Sequence, residues 1–252
     1  MTSELGATGT IFAREMAPVL RNPVGLVFTV AQPLVFLLLF GPLLTDVPGT
    51  GGESAWQWFV PGILVMTGLF ATAGAGYAVQ TELAGGSFER ILVTPVSRSA
   101  ILAGKTLKEA FSLVAQAVLI VLVALPFGFR LYPLNVLAGL ALLAVFGVGL
   151  GSLAIALAIA MRRQQEAFWA VHQFFLFPLV LLSGVLLPVD DAPGWLSVAS
   201  RINPLTYLVE AERALFAGDF LRSSVLAGAV GAVVTAVIGL AVGARAMRTA
   251  SL

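Results

Sequence analysis

The chain has 252 residues, of which 59% are hydrophobic and only 11% are charged, and its formal net charge at pH 7 is +1. A soluble domain carries roughly 25% charged residues, so lipid must cover much of this surface. The net charge of +1 indicates no basic patch large enough to bind nucleic acid. Because cysteine is absent and histidine occurs once, disulfides, thiol nucleophiles and multi-histidine metal clusters are excluded.

Six charge-free stretches are long enough to cross a bilayer core of about 30 Å, which needs roughly 20 apolar residues in a helix. Their continuous apolar character favours helices over the alternating strands of a barrel. We therefore predict an all-α membrane protein with six transmembrane helices in a single domain over residues 1–252. The predicted spans are 24–44, 58–80, 109–129, 136–161, 167–187 and 223–244.

Basic residues fall mostly on one side of this layout. With six spans, both termini lie on the same side of the membrane, and that side holds ten basic residues against four on the other. Because cytoplasmic segments carry the excess of Lys and Arg, this count predicts cytoplasmic N- and C-termini. The composition, rich in alanine, glycine and arginine, is typical of a GC-rich bacterium, so we expect a multi-pass protein of the bacterial cell (inner) membrane. The ten are Arg14, Arg21, Arg90, Arg98, Lys105, Lys108, Arg162, Arg163, Arg245 and Arg248, and the four are Arg130, Arg201, Arg213 and Arg222.

Three connecting segments have patterns of their own. Residues 8–21 place apolar and basic residues on different sides of a helix, which predicts an interfacial helix along the inner leaflet. Residues 82–108 form the longest cytoplasmic connection, between the second and third spans. Residues 188–222, between the fifth and sixth spans, contain two helical stretches separated by Asn203 and Pro204, which predicts a helical hairpin that dips into the outer leaflet.

Residues suited to catalysis or ion coupling are scarce. The sequence Gly-Lys-Thr at 104–106 resembles the end of a phosphate-binding loop, but the full motif requires glycine where Ser99 stands. No Asp, Glu, Lys or Arg lies at the centre of a predicted span, which disfavours a transporter driven by an ion gradient. We expect a chain that has no catalytic site, cofactor or metal of its own.

Polar and aromatic residues of the first and fifth spans are candidates for a substrate path. Gln32 and Pro33 interrupt an apolar run, and such residues favour contact with protein or water over contact with lipid. Helix packing explains the same residues equally well, and for His172 a hydrogen-bonded packing role is favoured over a pH sensor. The candidates are Gln32, Pro33, Phe36, His172, Gln173, Phe174 and Phe177.

Residues 82–98 carry a resemblance to a known family. Their sequence resembles the signature that follows the second span in type-2 ABC-transporter permeases, a family that exports drugs, lipids and polysaccharides. Residues 90–92 and 94–98 match closely, whereas 86–89 departs from the family's Gly-Thr-Leu-Glu element at two positions. Residues 202–210 resemble the family's Asn-Pro-Leu-Thr-Tyr element before the last span, in which Asn203, Pro204 and Tyr207 stand.

The physical chemistry of residues 87–92 favours a short helix that docks on a partner. Ser87 is predicted to cap this helix, Glu89 and Arg90 to lie in its first turn, and Thr94 with Pro95 to end it. A solvated charged loop is the alternative.

The resemblance implies that this segment is the coupling helix and that its partner is an ABC ATP-binding subunit carrying ATP and Mg. The turn that contains Arg162, Arg163 and Glu166 stands where the resemblance places a smaller second contact, although simple cytoplasmic anchoring explains it as well. The candidate coupling residues are Glu82, Gly86, Ser87, Glu89, Arg90, Thr94, Pro95, Arg98, Arg162, Arg163 and Glu166.

The resemblance as a whole implies the permease subunit of an ATP-driven exporter. This subunit would form a dimer with a second copy or a paralogue, its first and fifth spans would face the partner protomer, and two ATPase subunits would bind it. A drug-like amphiphile or a lipid fits the short, apolar, aromatic chain better than a long polysaccharide. Two alternatives stay open: a non-transporting membrane scaffold or immunity protein, and a secondary transporter driven by an ion gradient.

Overall fold

The computed structural model describes residues 4–43, 55–185 and 194–250, and every regular element in these ranges is a helix. Six of the helices, α2, α3, α5, α6, α7 and α10, are long and apolar enough to cross a membrane, which confirms the predicted all-helical, six-span class. The helices are α1 (Glu4–Arg21), α2 (Pro23–Leu43), α3 (Ala55–Ala84), α4 (Ser87–Leu92), α5 (Arg98–Ala124), α6 (Pro133–Ala160), α7 (Gln165–Leu182), α8 (Gly194–Ile202), α9 (Pro204–Phe216) and α10 (Ser223–Thr249), with a 3₁₀ turn (Leu125–Phe127) after α5.

The third spanning helix begins earlier than the apolar pattern predicted. The predicted span starts at residue 109, but α5 already starts at Arg98, and the Ser97 hydroxyl accepts a hydrogen bond from the Ala100 N–H at 3.2 Å. The predicted connection 82–108 therefore contains helical structure, because charged side chains interrupt an apolar run without interrupting a helix. Its last part is the beginning of α5, and α4 occupies its centre.

Some predicted boundaries lie outside the described residues. This holds for residue 44 at the end of the first predicted span, for 186–187 at the end of the fifth, and for 188–193 at the start of the outer hairpin. Within the described part of the hairpin, α8 and α9 lie where two helical stretches were predicted.

Two hydrophobic clusters form the core of the bundle. One is built around Phe59 and Phe146 of α3 and α6, and it includes Phe216 of α9. The other joins α1, α4 and the C-terminal part of α10, and it includes Phe88 and Met247. Helix α1 and the C-terminal part of α10 therefore lie at the same end of the bundle, together with α4.

Helices α6 and α10 approach each other closely through glycine. A Cβ atom added to Gly239 would lie 2.1 Å from the Gly149 carbonyl oxygen, well inside van der Waals contact. Such small-residue contacts let membrane helices come together in lipid, where the hydrophobic effect gives no force between them. Because α6 also packs on α3, α5 and α9, it forms the centre of the domain.

Candidate functional site

Helix α4 begins after a sharp turn at Gly86. The φ angle of Gly86 is +67°, a left-handed conformation that glycine adopts without steric cost. The prediction that Ser87 caps the helix is wrong, because the turn places glycine at the cap and Ser87 in the first helical position. The Ser87 hydroxyl instead donates to the Glu82 carbonyl oxygen at 3.3 Å, which ties α4 to the end of α3.

One side of α4 is anchored and the other is free. Phe88 is 1% exposed, and it is buried with Ile91 in the core cluster at this end of the bundle. Arg90, Thr94 and Pro95 are exposed. The Thr94 hydroxyl donates to the Ile91 carbonyl oxygen at 2.6 Å and helps to end the helix. The segment therefore presents charged and polar groups from a rigid base, as a docking element requires.

The second predicted contact lies beside the first. Arg162, Arg163 and Glu166 are exposed in and just after the turn between α6 and α7. Arg162 and Glu89 line the same small crevice between this turn and α4. The structure thus brings the two predicted coupling segments together on one surface at one end of the bundle, although they are far apart in the sequence.

Arg98 lies at the base of this surface and contacts the last helix. Its guanidinium donates to the carbonyl oxygens of Met247 at 2.9 Å and Arg248 at 2.5 Å. These carbonyls belong to the final turn of α10, where backbone acceptors have no partner within the helix. Arg98 therefore fixes the end of α10 against the start of α5.

Glu82 belongs to a buried ionic network that joins three helices. The Lys105 ammonium lies 2.7 Å from the Glu82 carboxylate and 2.9 Å from that of Glu15, and the Arg14 guanidinium lies 3.4 Å from Glu82. Lys105 is 4% exposed. Sequence reasoning selected Glu82 but not Lys105 or Glu15, because periodicity within one helix gives no information on which charges meet across helices.

A groove of about 830 Å³ opens between α1, α2, α3 and α5. Gln32 and Pro33, two of the predicted path residues, contribute to its wall. Its charged lining residues, among those that the structure describes, are Lys108 and Glu109, and sequence reasoning did not assign either of them to a path. The groove combines an apolar wall with a few polar groups, which is the usual make-up of a ligand site.

The remaining predicted path residues do not line this groove. Phe36 stacks on Phe40 within α2, with ring centroids 5.6 Å apart. His172 packs on the Phe168 ring at 5.9 Å, and its Nε2 lies 3.5 Å from the Thr72 hydroxyl, a placement that fits a packing role. The other three residues, all exposed on α7, are Gln173, Phe174 and Phe177. Within one chain, the path residues of the first and fifth spans therefore lie on separate surfaces.

The Asn-Pro-Leu-Thr-Tyr motif fixes the pair of helices α8 and α9 to the spanning helices. Asn203 caps α9, Pro204 is its first residue, and the Asn203 amide donates to the Leu179 carbonyl oxygen on α7 at 2.7 Å. The Tyr207 hydroxyl donates to the Arg201 carbonyl oxygen at 2.8 Å, which links α9 back to α8. These contacts give the motif a structural role at the end of the bundle opposite to α4.

The same hairpin buries a carboxyl group that sequence reasoning missed. Glu212 is fully buried, neither of its carboxyl oxygens has a hydrogen-bond partner among the described residues, and burial raises its pKa to about 8. One oxygen occupies the space left by Gly139 on α6. A helical pattern would have revealed Glu212, because it lies on the apolar face of α9 between Leu208 and Leu215.

A six-span helical domain that presents a rigid short helix at one end has the form of the membrane subunit of a transporter. The chain belongs to the ABC-2 type transporter family, whose model matches residues 6–217. This match confirms the resemblance noted in the sequence. Members of this family are membrane subunits rather than enzymes, and they work with an ABC ATP-binding subunit.

Three relatives illustrate the similarity. The chain is 28% identical to the daunorubicin resistance ABC transporter permease protein DrrB1 of Streptomyces coeruleorubidus, over 85% of this chain and 76% of that protein. It is 32% identical to the putative transport permease ycf38 of Pyropia yezoensis, over 82% of this chain and 72% of that protein. It is 26% identical to the probable multidrug ABC transporter permease YbhR of Escherichia coli K12, over 65% and 45%.

Proposed function

We propose that this chain is the membrane subunit of an ATP-driven exporter. A separate ATP-binding subunit, which holds ATP and Mg, powers the movement of an amphipathic drug-like molecule or a lipid out of the cytoplasm or the inner leaflet. The observation that carries this proposal is α4, a short helix buried through Phe88 and presenting Arg90 to the outside, beside the exposed turn at Arg162.

The proposed transport cycle uses two membrane chains, either identical or paralogous. Exposed aromatic residues of α7, such as Phe174 and Phe177, and the outer half of α2 supply a surface for the second chain. ATP binding closes the ATPase pair, the two α4 helices move together, and the path between the membrane chains opens outward. The work comes from contacts that differ between the closed and open states.

An amphipathic substrate is supported by the groove and by one relative. The volume of about 830 Å³ lies in the range of small-molecule sites, roughly 300–1,000 Å³. The name of DrrB1 states a role in resistance to daunorubicin, a drug. Both features favour a drug-like amphiphile or a lipid over a polymer.

The orientation proposed for the chain places α4 and both termini in the cytoplasm of a bacterial cell. Because the sequence contains no cysteine, a single introduced cysteine reports its own position. We expect Arg90→Cys to react with a membrane-impermeant maleimide only after the cells are opened, whereas Arg222→Cys, at the opposite end of the bundle, reacts in intact cells. The reverse pattern would invert the topology and rule out α4 as the site of ATPase docking.

The function is tested by co-purifying the chain with ABC ATP-binding subunits encoded beside it. We expect a stable complex in nanodiscs whose substrate-stimulated ATP hydrolysis and transport fall when Arg90→Ala is combined with Glu89→Ala. The matched control is Arg222→Ala, an exposed arginine away from the coupling surface. Unchanged transport by the double variant would remove the proposed role of α4, and the lack of any ATPase partner would favour the scaffold or gradient-driven alternatives.

A further inference from the structure

The groove between α1, α2, α3 and α5 is charged at one end. The Lys108 ammonium forms an ion pair with the Glu109 carboxylate, and both side chains line the groove near Met16 and Leu20 of α1. Further along, the wall carries Gln32 and Gln116 among apolar side chains. An amphiphile whose charged group lies beside α1 would therefore have an apolar wall for its body.

The two side chains of this ion pair are about equally buried, with 12% of Lys108 and 11% of Glu109 exposed. Neighbouring residues on a helix point in different directions, so the pair depends on the long lysine side chain bending back toward the carboxylate. A lysine near the end of a membrane helix can also extend its ammonium to the interface. Because the lysine side chain is the longer of the two, it can carry its charge farther from the groove than Glu109 can.

The Glu109 carboxylate also has spare capacity for a cation. Among the described residues, Lys108 is its hydrogen-bond donor and bonds to one of its two oxygens. When the Lys108 ammonium turns away, a buried carboxylate remains that is costly unless another cation replaces it. A cation in this position keeps the groove electrically neutral, whereas an anion would leave Glu109 uncompensated.

We propose that this groove binds a lipophilic monovalent cation of drug size, with Glu109 as its counter-ion and Lys108 as the group that it displaces. The apolar body of the ligand lies along α2 and α5, on the side of the domain where α1 lies. The inference rests on the proposed function because it names the substrate class of the exporter. The binding step itself requires no ATP-binding subunit, so the two ideas can fail separately.

The test compares two ions of similar shape and opposite charge, tetraphenylphosphonium and tetraphenylborate. Their equilibrium binding to the full chain in phosphatidylcholine nanodiscs is measured after subtraction of binding to empty nanodiscs. We expect saturable binding of the phosphonium, weakened tenfold or more in Glu109→Gln and strengthened in Lys108→Met. The borate should show no such loss in Glu109→Gln.

Two further variants separate a lost charge from a lost fold. A Cβ atom on Gly74 would meet nothing within 4 Å, so Gly74→Leu should fill the groove and weaken phosphonium binding without changing any charge. Glu4→Gln removes an exposed carboxylate of α1 and should bind like the wild type. If Glu109→Gln does not fold, Gly74→Leu and Lys108→Met still test whether the groove binds the phosphonium.

Equal phosphonium binding by the wild type, Glu109→Gln and Gly74→Leu would overturn the proposal, as would a preference for the borate that Lys108→Met abolishes. Phosphonium binding that follows the prediction in a chain that recruits no ATPase would leave the site standing and remove the exporter function. An active exporter complex with no saturable phosphonium site would leave the exporter function standing and remove the proposed site.

Discussion

The buried carboxyl group of Glu212 makes a quantitative prediction about stability and pH. Burial raises its pKa from an ordinary value of 4.5 to about 8. Between pH 4.5 and pH 8, the Glu212 carboxyl is ionised in the unfolded chain and protonated in the folded chain. Its contribution to the stability of the folded chain is therefore complete below pH 4.5 and is lost as the pH rises toward 8. Each pH unit in this window costs about 1.4 kcal/mol, which amounts to roughly 3 kcal/mol between pH 5 and pH 7.

This loss is measurable as a shift in thermal unfolding in detergent. For a chain of this size, roughly 3 kcal/mol corresponds to a fall in Tm on the order of 5–10 °C between pH 5 and pH 7. Glu212→Gln keeps the shape of the side chain and cannot ionise, so its Tm should fall less over the same range. Glu166→Gln, at an exposed position on α7, should follow the wild type. If Tm depends on pH in the same way for the wild type and Glu212→Gln, the reasoning is refuted.

Two further predictions concern helix packing and the buried charges. Gly239→Ala should abolish the monodisperse peak of folded protein in size-exclusion chromatography, because the new Cβ atom would lie 2.1 Å from the Gly149 carbonyl oxygen. The control Gly231→Ala is on the same helix, and its Cβ atom would meet nothing within 4 Å, so this variant should fold normally. Lys105→Met should lower the free energy of unfolding by about 3–5 kcal/mol because it leaves the Glu82 and Glu15 carboxylates with only the more distant and partly exposed Arg14 as a cation. The control Arg163→Met, in an exposed turn, should cost less than about 0.5 kcal/mol in the same assay.

The bilayer explains why the number and type of the spanning helices could be predicted from the sequence. A spanning segment must be continuously apolar and must satisfy its own backbone hydrogen bonds, so length and composition alone identify it. At the start of α5 the apolar run and the helix differ in extent, because Arg98, Lys105 and Lys108 interrupt the apolar run but not the helix. Hydropathy reports where lipid contacts a helix, and it does not report how far the helix extends beyond the lipid.

The candidate site was predictable only where it depends on local sequence. The position of α4 followed from residues 87–95, but its cap did not, because the sharp turn at Gly86 shifted the helix start by one residue. The substrate path was predicted from polar interruptions in apolar spans, a rule that selects Gln32 and cannot select Glu109. Glu109 lies in the charged first half of α5, and only the packing of α1 and α2 over that part of the helix makes it a wall of the groove.

The buried network around Lys105 connects the two surfaces that the proposed function requires. Its Glu82 precedes α4 and accepts the Ser87 hydroxyl through its carbonyl oxygen, while Lys105 itself lies one helical turn from Glu109 in the groove. A displacement of α4 that pulls on Glu82 therefore acts on the same turns of α5 that form the charged end of the groove. Lys105 is 4% exposed and the Glu82 side chain 14%, so such a motion would act on ion pairs that are largely screened from solvent. In the proposed function, these contacts join the ATPase-docking surface at Arg90 to the charged end of the groove.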